Sequence, residues 1–230
     1  MKLIGIRAVL LDLDNTLIDF EASAKECMQK ALSDRGIPFR EEIYETFFRI
    51  NPTLWKKIER KELTLDGLHQ IRWNMVFAEV GLSQIDGPLF EIDFRKYLKT
   101  SGIPIEGAVD LLEDLKKKGY LLCVASNGPY EQQKSRMKAA GMDDFISHWF
   151  VSERFGVNKP AGEFFEAAMA ELEGITPPEC VMIGDSLSAD IAGGKNFGMK
   201  TVWYDRSGTG EESHADRRVT RLSEIKEILS

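Results

Sequence analysis

The stretch AVLLDLDNT, residues 8–16, joins an apolar run to a pair of carboxylates. The run over residues 8–13, apolar except at Asp12, has the length of a strand buried on both faces. Asp14, Asn15 and Thr16 then end it with turn-forming side chains. As a turn or a helix cap, Asp14-Asn15-Thr16 needs no further explanation. Asp12 does, because it falls where the strand is still buried, and an unpartnered buried acid is costly. Carboxylates two apart on an extended strand face the same way. When close together they repel, and ionising both calls for a compensating cation.

Working outward, the rhythm after residue 16 is helical. Residues 21–35 read as a helix stopped by Gly36-Ile37-Pro38, and residues 41–50 as a second, with Pro52 opening a new segment through Trp55. Further helices follow over 65–80, ended by Gly81, and over 88–98. No strand pattern stands out between residues 19 and 100. From residue 105 strands and helices alternate: helix 107–118, strand 121–125, helix 131–140, strand 149–151, helix 162–172, strand 180–183, helix 188–197, strand 200–203 and helix 222–229. This alternation predicts an α/β fold, a Rossmann-like parallel sheet flanked by helices, with an inserted all-helical cap. Residues 1–18 and 99–230 form the expected catalytic core and residues 19–98 the expected cap domain. In such sheets the ligand sits beyond the carboxyl ends of the strands. That edge would gather residues 12–16, 126–128 and 185–186, with the helical block placed to cover them.

Composition narrows the function class. The chain has 230 residues, 43% hydrophobic and 29% charged, with a formal net charge of −7. This is the profile of a globular chain large enough to bury a core and carry a cleft. The acidic balance argues against a nucleic-acid polymer or an anionic membrane surface as partner. The opening MKLIGIRAVLLDLDNTL is too short in apolar residues to span a bilayer. Cys27, Cys123 and Cys180 match no metal motif, and the last two sit in apolar runs as core thiols, which suits a reducing cytoplasm. The three histidines, His69, His148 and His214, are scattered. Nothing in the sequence sets an oligomeric state.

Four clusters carry chemistry. Asp12 and Asp14 are the first. Ser126, Asn127 and Gly128 offer a hydroxyl, an amide and a flexible backbone, either as donors to a phosphoryl oxygen or as an ordinary turn. Lys159, before Pro160, is a point charge able to neutralise a phosphoryl group or an attacking carboxylate; Pro160 is expected to open the next helix as its first residue. Asp185, after Gly184, is a third acid at a strand end, and with Asp12 it makes a hard oxygen site suited to Mg²⁺. Gly184 is expected to let backbone approach a ligand. Asp190, about a turn and a half on, either holds metal-bound water or Lys159, or complements the helix dipole.

In this order the clusters resemble the haloacid dehalogenase superfamily of hydrolases, over about two-thirds of the chain. DLDNT and GDSLSAD are the specific motifs. The resemblance implies that Asp12 is the nucleophile and Asp14 the general acid/base, and that Ser126, Asn127, Gly128 and Lys159 hold the phosphoryl group. It also implies that Mg²⁺ is held by Asp12, the Asp14 carbonyl and Asp185, with Asp190 behind them. The dehalogenase branch lacks an acid at the position of Asp14, so the phosphatase branch is favoured. Residues 126–128, 153–160 and 191–198 are most similar to pyrimidine nucleotidases and N-acylneuraminate-9-phosphatases, although Ser126 stands where those usually carry Thr. The implied substrate is a small phosphorylated metabolite such as a nucleoside 5'-monophosphate, with sugar phosphates and phosphoglycolate as alternatives. A phosphomutase, a phospho-acceptor signalling module and a catalytically silent interaction protein are the rival classes. In the expected cap, Phe47, Phe48, Trp55, Trp73 and Phe77 are available either to stack on a base or to form the cap's own core.

Overall fold

The computed structural model describes residues 2–229. Among them, six strands form one parallel sheet: β1 (Ala8–Leu11), β2 (Leu121–Ser126), β3 (His148–Val151), β4 (Cys180–Gly184), β5 (Lys200–Tyr204) and β6 (Arg217–Val219). Their spatial order is β3-β2-β1-β4-β5-β6. Between β1 and β2 lie α1 (Phe20–Asp34), α2 (Glu41–Glu59), α3 (Leu65–Glu79), α4 (Gly87–Leu98) and α5 (Ala108–Lys117). The later connections carry α6 (Tyr130–Ala139), α7 (Ser152–Phe155), α8 (Gly162–Ala170) and α9 (Gly193–Asn196), and α10 (Ile225–Ile228) follows β6.

The chain divides into two compact units, Met1–Phe20 with Gly102–Ser230, and Glu21–Ser101. In the sheet unit, successive β1 side chains alternate between two cores, as strand geometry requires. Val9 and Leu11 join Val124, Ile183 and the α5 leucines, Leu111, Leu112 and Leu115. Ala8 and Leu10 join Cys123, Met182 and the α8 residues Phe164, Phe165 and Ala168. Both faces are covered, which is why β1 reads as a continuous apolar run. Burial pushes the Cys180 thiol up to about 11 and raises Cys123 as well, so both stay protonated core thiols. The order turns around between β1 and β4, the topological switch where ligands bind in open α/β sheets.

The helical unit has an aromatic core. Trp73 lies 4.5 Å from Phe90, 5.0 Å from Phe47, 5.2 Å from Phe94 and 5.5 Å from Phe77, ring centre to ring centre. Phe47, Trp73 and Phe77 are therefore core residues and not base platforms; Phe48 and Trp55 are half-buried. The break expected at Pro52 does not occur, and α2 runs through it. A proline there costs about 3 kcal/mol of helix. The buried stripe Ile43, Phe47, Ile50, Leu54 and Ile58 keeps the helical period on both sides of it and outweighs that cost. Inside this unit Arg72 donates to both oxygens of Glu91, at 2.6 and 3.1 Å, and to Asn51 Oδ1 at 2.9 Å.

Next to that pair, burial, Arg95 and Arg72 together hold the pKa of His69 at about 4. The folded protein thus keeps the ring neutral where the unfolded chain would take up a proton. Stability is present above about pH 6.5 and is lost as the pH falls toward about 4. His69→Gln is expected to flatten that part of the profile, read from urea midpoints across the range; an unchanged slope would remove His69 from the account.

The elements of the sheet unit depart from the sequence reading in detail. Helix 188–197 is present but not uniform: a π-helix, Leu187–Ala192, runs directly into the short α9. The last helix is confined to Ile225–Ile228 after a 3₁₀ turn. Strand β6 and helix α7 were not expected, because three- and four-residue elements fall below the length at which periodicity speaks. Among the described residues no helix is long and apolar enough to cross a membrane.

Candidate active site

Asp12 is the first residue past β1, and its N–H still donates to Ile183 O of β4 at 2.9 Å. β1 is hydrogen-bonded on both sides, to β2 and β4, so Asp12 is held at the centre of the sheet edge. Ser126 ends β2 and Asp185 follows β4, which brings all three clusters to the same edge. Lys159 arrives from the β3–α8 connection. Its Nζ donates to Asp12 Oδ1 at 2.8 Å, Asp190 Oδ1 at 2.6 Å and Ala125 O at 2.6 Å. Three acceptors use the three protons of an ammonium group. Lys159 is 1% exposed. Burial works against its charge, but Asp12 and Asp190 hold its pKa above the ordinary lysine value.

Asp190 divides its oxygens between Lys159 and the backbone N–H of Ser186, at 3.1 Å. Of the alternatives open for it, contact with Lys159 is the one the structure places. Gly184 is explained by the same carboxylate. A Cβ at residue 184 would lie 2.1 Å from Asp190 Oδ2, so the glycine makes room for Asp190 rather than for a ligand.

Pro160 does not open α8, which starts at Gly162. The Asn127 amide takes both main-chain groups of Lys159: Oδ1 accepts from its N–H at 2.8 Å and Nδ2 donates to its carbonyl at 3.0 Å. That clamp holds residue 159 out of the helix, and Ala161 is still extended at φ −59, ψ 137. The Asn127 side chain therefore spends its oxygen and one amide proton on fixing Lys159.

Asp14 takes a different direction from Asp12. Asn15 adopts a left-handed φ of 60 and its N–H donates to Ile18 O, which turns the chain back at once. Asparagine tolerates that conformation better than most side chains. The Asp14 carboxylate is ion-paired with Arg136 Nη1 and accepts from Gln133 Nε2 at 2.8 Å. Gln133 and Arg136, both on α6 and both fully buried, were missed by sequence reasoning. Polar residues three apart on a helix read as a solvated face, and only tertiary contact reveals otherwise.

Asp12, Asp185 and Asp190 each offer an oxygen, all within 4.8 Å of one another. Burial raises the pKa of Asp12 against the pull of Lys159. Burial, then Asp12 and Asp190, raise that of Asp185 well above its ordinary value. Three acids beside one ammonium make an oxygen-rich donor set. A hard divalent cation fits that donor set. Asp14 can join such a site only through its carbonyl, because its carboxylate is engaged by α6.

Comparison with known proteins agrees with this arrangement. The model of the haloacid dehalogenase-like hydrolase family matches residues 6–198. The chain is 32% identical over 197 residues to pyrimidine 5'-nucleotidase PynA of Streptococcus pneumoniae, covering 86% of this chain and 83% of that protein. It is 27% identical over 237 residues to a glyceraldehyde 3-phosphate phosphatase of Pyrococcus furiosus, covering 97% and 93%. It is 30% identical over 226 residues to YfnB of Bacillus subtilis, covering 97% and 95%. The crystal structure of YfnB bound to magnesium matches with a TM-score of 0.91, over 98% of this chain and 99% of that one. The strand-end acids, the buried lysine and this match over most of the chain lead to one assignment: the protein belongs to the haloacid dehalogenase-like hydrolase family, in its phosphatase branch.

Proposed function

We propose that the protein is a Mg²⁺-dependent phosphomonoester hydrolase that works through a phosphorylated Asp12 and acts on nucleoside 5'-monophosphates. The observation that carries the reading is the Lys159 ammonium, 2.8 Å from Asp12 Oδ1, beside a separately held second acid, Asp14. An Asp12 oxygen attacks phosphorus and forms the new O–P bond while the ester P–O bond breaks. Asp14 gives its proton to the departing alkoxide. A water then surrenders a proton to Asp14 and attacks the acyl phosphate, which releases inorganic phosphate and restores Asp12. Lys159 and Ser126 hold the phosphoryl oxygens and offset their charge. Asp12, Asp185 and the Asp14 carbonyl would hold Mg²⁺, with Asp190 fixing Lys159 and the loop behind. When bound, the ion supplies charge stabilisation for the transferring phosphoryl group. Asp14 is the reason to favour phosphoryl transfer over dehalogenation, since displacing a halide needs no proton donor.

The nucleotide reading is supported by the similarity to PynA, named as a pyrimidine 5'-nucleotidase. The similarity to a glyceraldehyde 3-phosphate phosphatase supports a sugar-phosphate alternative. A phosphate-release screen with Mg²⁺ over nucleoside monophosphates, sugar phosphates and small acid phosphates decides between them. Turnover is expected with nucleotides and is expected to fall by about 10²-fold or more when the metal is chelated. Inert nucleotides beside an active sugar phosphate would overturn the substrate; release that survives chelation would overturn the metal.

A further inference from the structure

We propose that Gln133 is a positioning residue that makes the phosphate-binding hydroxyl of Ser126 and the acid/base Asp14 one mechanical unit. The proposal rests on the phosphatase reading above and deepens it.

The Gln133 side chain has one possible orientation. Arg136 can only donate and a carboxylate only accept, so the amide oxygen must face Arg136 and the amide nitrogen Asp14. Accordingly Arg136 Nη1 donates to Gln133 Oε1 at 3.0 Å, and Gln133 Nε2 donates to Asp14 Oδ2 at 2.8 Å. The second Nε2 proton goes to Ser126 Oγ at 2.9 Å. Ser126 Oγ also accepts from the N–H of Gly128 at 3.1 Å. Two incoming donors fill both lone pairs of the hydroxyl. The Ser126 O–H proton is then left to donate outward, as a phosphoryl oxygen requires. Gln133 therefore sets the polarity of Ser126 and the placement of Asp14 with the same NH₂ group. It is 0% exposed, and the residue beyond it, Arg136, is equally buried.

Gly128 records how closely Gln133 approaches. A Cβ at that position would lie 2.3 Å from Gln133 Nε2. The glycine of Ser126-Asn127-Gly128 thus accommodates the Gln133 amide, and its φ is not among the left-handed ones. Gln133→Met preserves length and removes both donors. Gly128→Ala leaves Gln133 in the chain and pushes its amide off Asp14 and Ser126. Substituting Arg136 instead would strip a buried charge pair and confuse folding with function.

The test compares p-nitrophenyl phosphate with phenyl phosphate, esters of similar size that differ in leaving-group basicity. Phenolate, with a pKa of roughly 10 like tyrosinate, needs a proton as it departs; nitrophenolate is far less basic. With Mg²⁺ present, both variants are expected to lose about 10²-fold in kcat on phenyl phosphate and less than about tenfold on p-nitrophenyl phosphate. KM for both esters is expected to rise together, by roughly tenfold, through the misaligned Ser126 donor. A role confined to packing would lower both kcat values equally. Equal losses, or wild-type kinetics in either variant, overturn the assignment of Gln133 while the enzyme reading stands. A wild type inert on both esters and on every compound of the phosphate-release screen overturns the phosphatase reading and this assignment with it. If Gln133→Met does not fold, by its thermal melt, Gly128→Ala decides alone.

Discussion

Asp12→Asn is expected to lower phosphate release by about 10⁴-fold or more, with the fold intact. The amide has nearly the shape of the carboxylate and cannot act as the attacking oxygen. Folding is not at risk. The Lys159 ammonium keeps Asp190 Oδ1 at 2.6 Å and Ala125 O at 2.6 Å when Asp12 is neutral. The substitution also removes one of the acids that raise the pKa of Asp185, which relieves repulsion. The thermal midpoint should therefore hold or rise while turnover disappears. Acid-quenched wild type incubated with substrate should carry phosphate on Asp12, and the variant none. A variant that turns over at the wild-type rate would remove Asp12 from the nucleophile's role. A wild-type phosphate adduct lasting many minutes without turnover would favour a phospho-acceptor module instead.

Lys159→Met should cost both stability and activity. It takes the one ammonium out of a buried group of carboxylates, and breaking a buried ion pair from one side costs about 3–5 kcal/mol. Met keeps the unbranched stem, so packing changes little and the loss reports the charge. The pH dependence has a definite sign. The folded-state pKa values of Asp12 and Asp185 are already raised, by burial first. The folded protein therefore holds protons that the unfolded chain releases above its ordinary value of 3.8, and stability falls as pH rises through that window. Without Lys159 the slope should steepen, so the defect grows with pH. Urea unfolding of metal-free protein across the range measures it. Equal stability of variant and wild type would mean that the three acids do not depend on Lys159. Activity should fall by about 10²-fold or more, because the phosphoryl charge loses its fixed partner.

The carboxylates were legible because their signal is local. An acid at the end of a continuous apolar run is out of place in any chain, and Asp12 follows Leu11 directly while Asp185 follows Ile183 after one glycine. Lys159 was legible only through the order of motifs, since a single lysine carries no pattern. The Asn127 amide was read as a phosphate donor because its type and neighbours permit that, yet it clamps the main chain of a residue 32 positions away. Pro52 and Pro160 misled for opposite reasons. The first was overridden by a buried stripe on both sides, and the second was kept out of a helix by Asn127.

By itself, then, the sequence determined the alternating sheet, the helical stretch between its first two strands, and the acids at the ends of β1 and β4. Each follows from hydrophobic period or from a charge placed against that period, and both are properties of neighbours in the chain. The tertiary structure alone decided that Lys159 donates to Asp190, and that Gly184 and Gly128 are glycines because the side chains of Asp190 and Gln133 fill the space beside them. It alone also decided that Asp14, two residues from Asp12, answers to Gln133 and Arg136 on another helix. Those facts depend on which polar groups meet in space, and a half-buried hydrogen bond spanning 119 residues leaves no period in the chain to read.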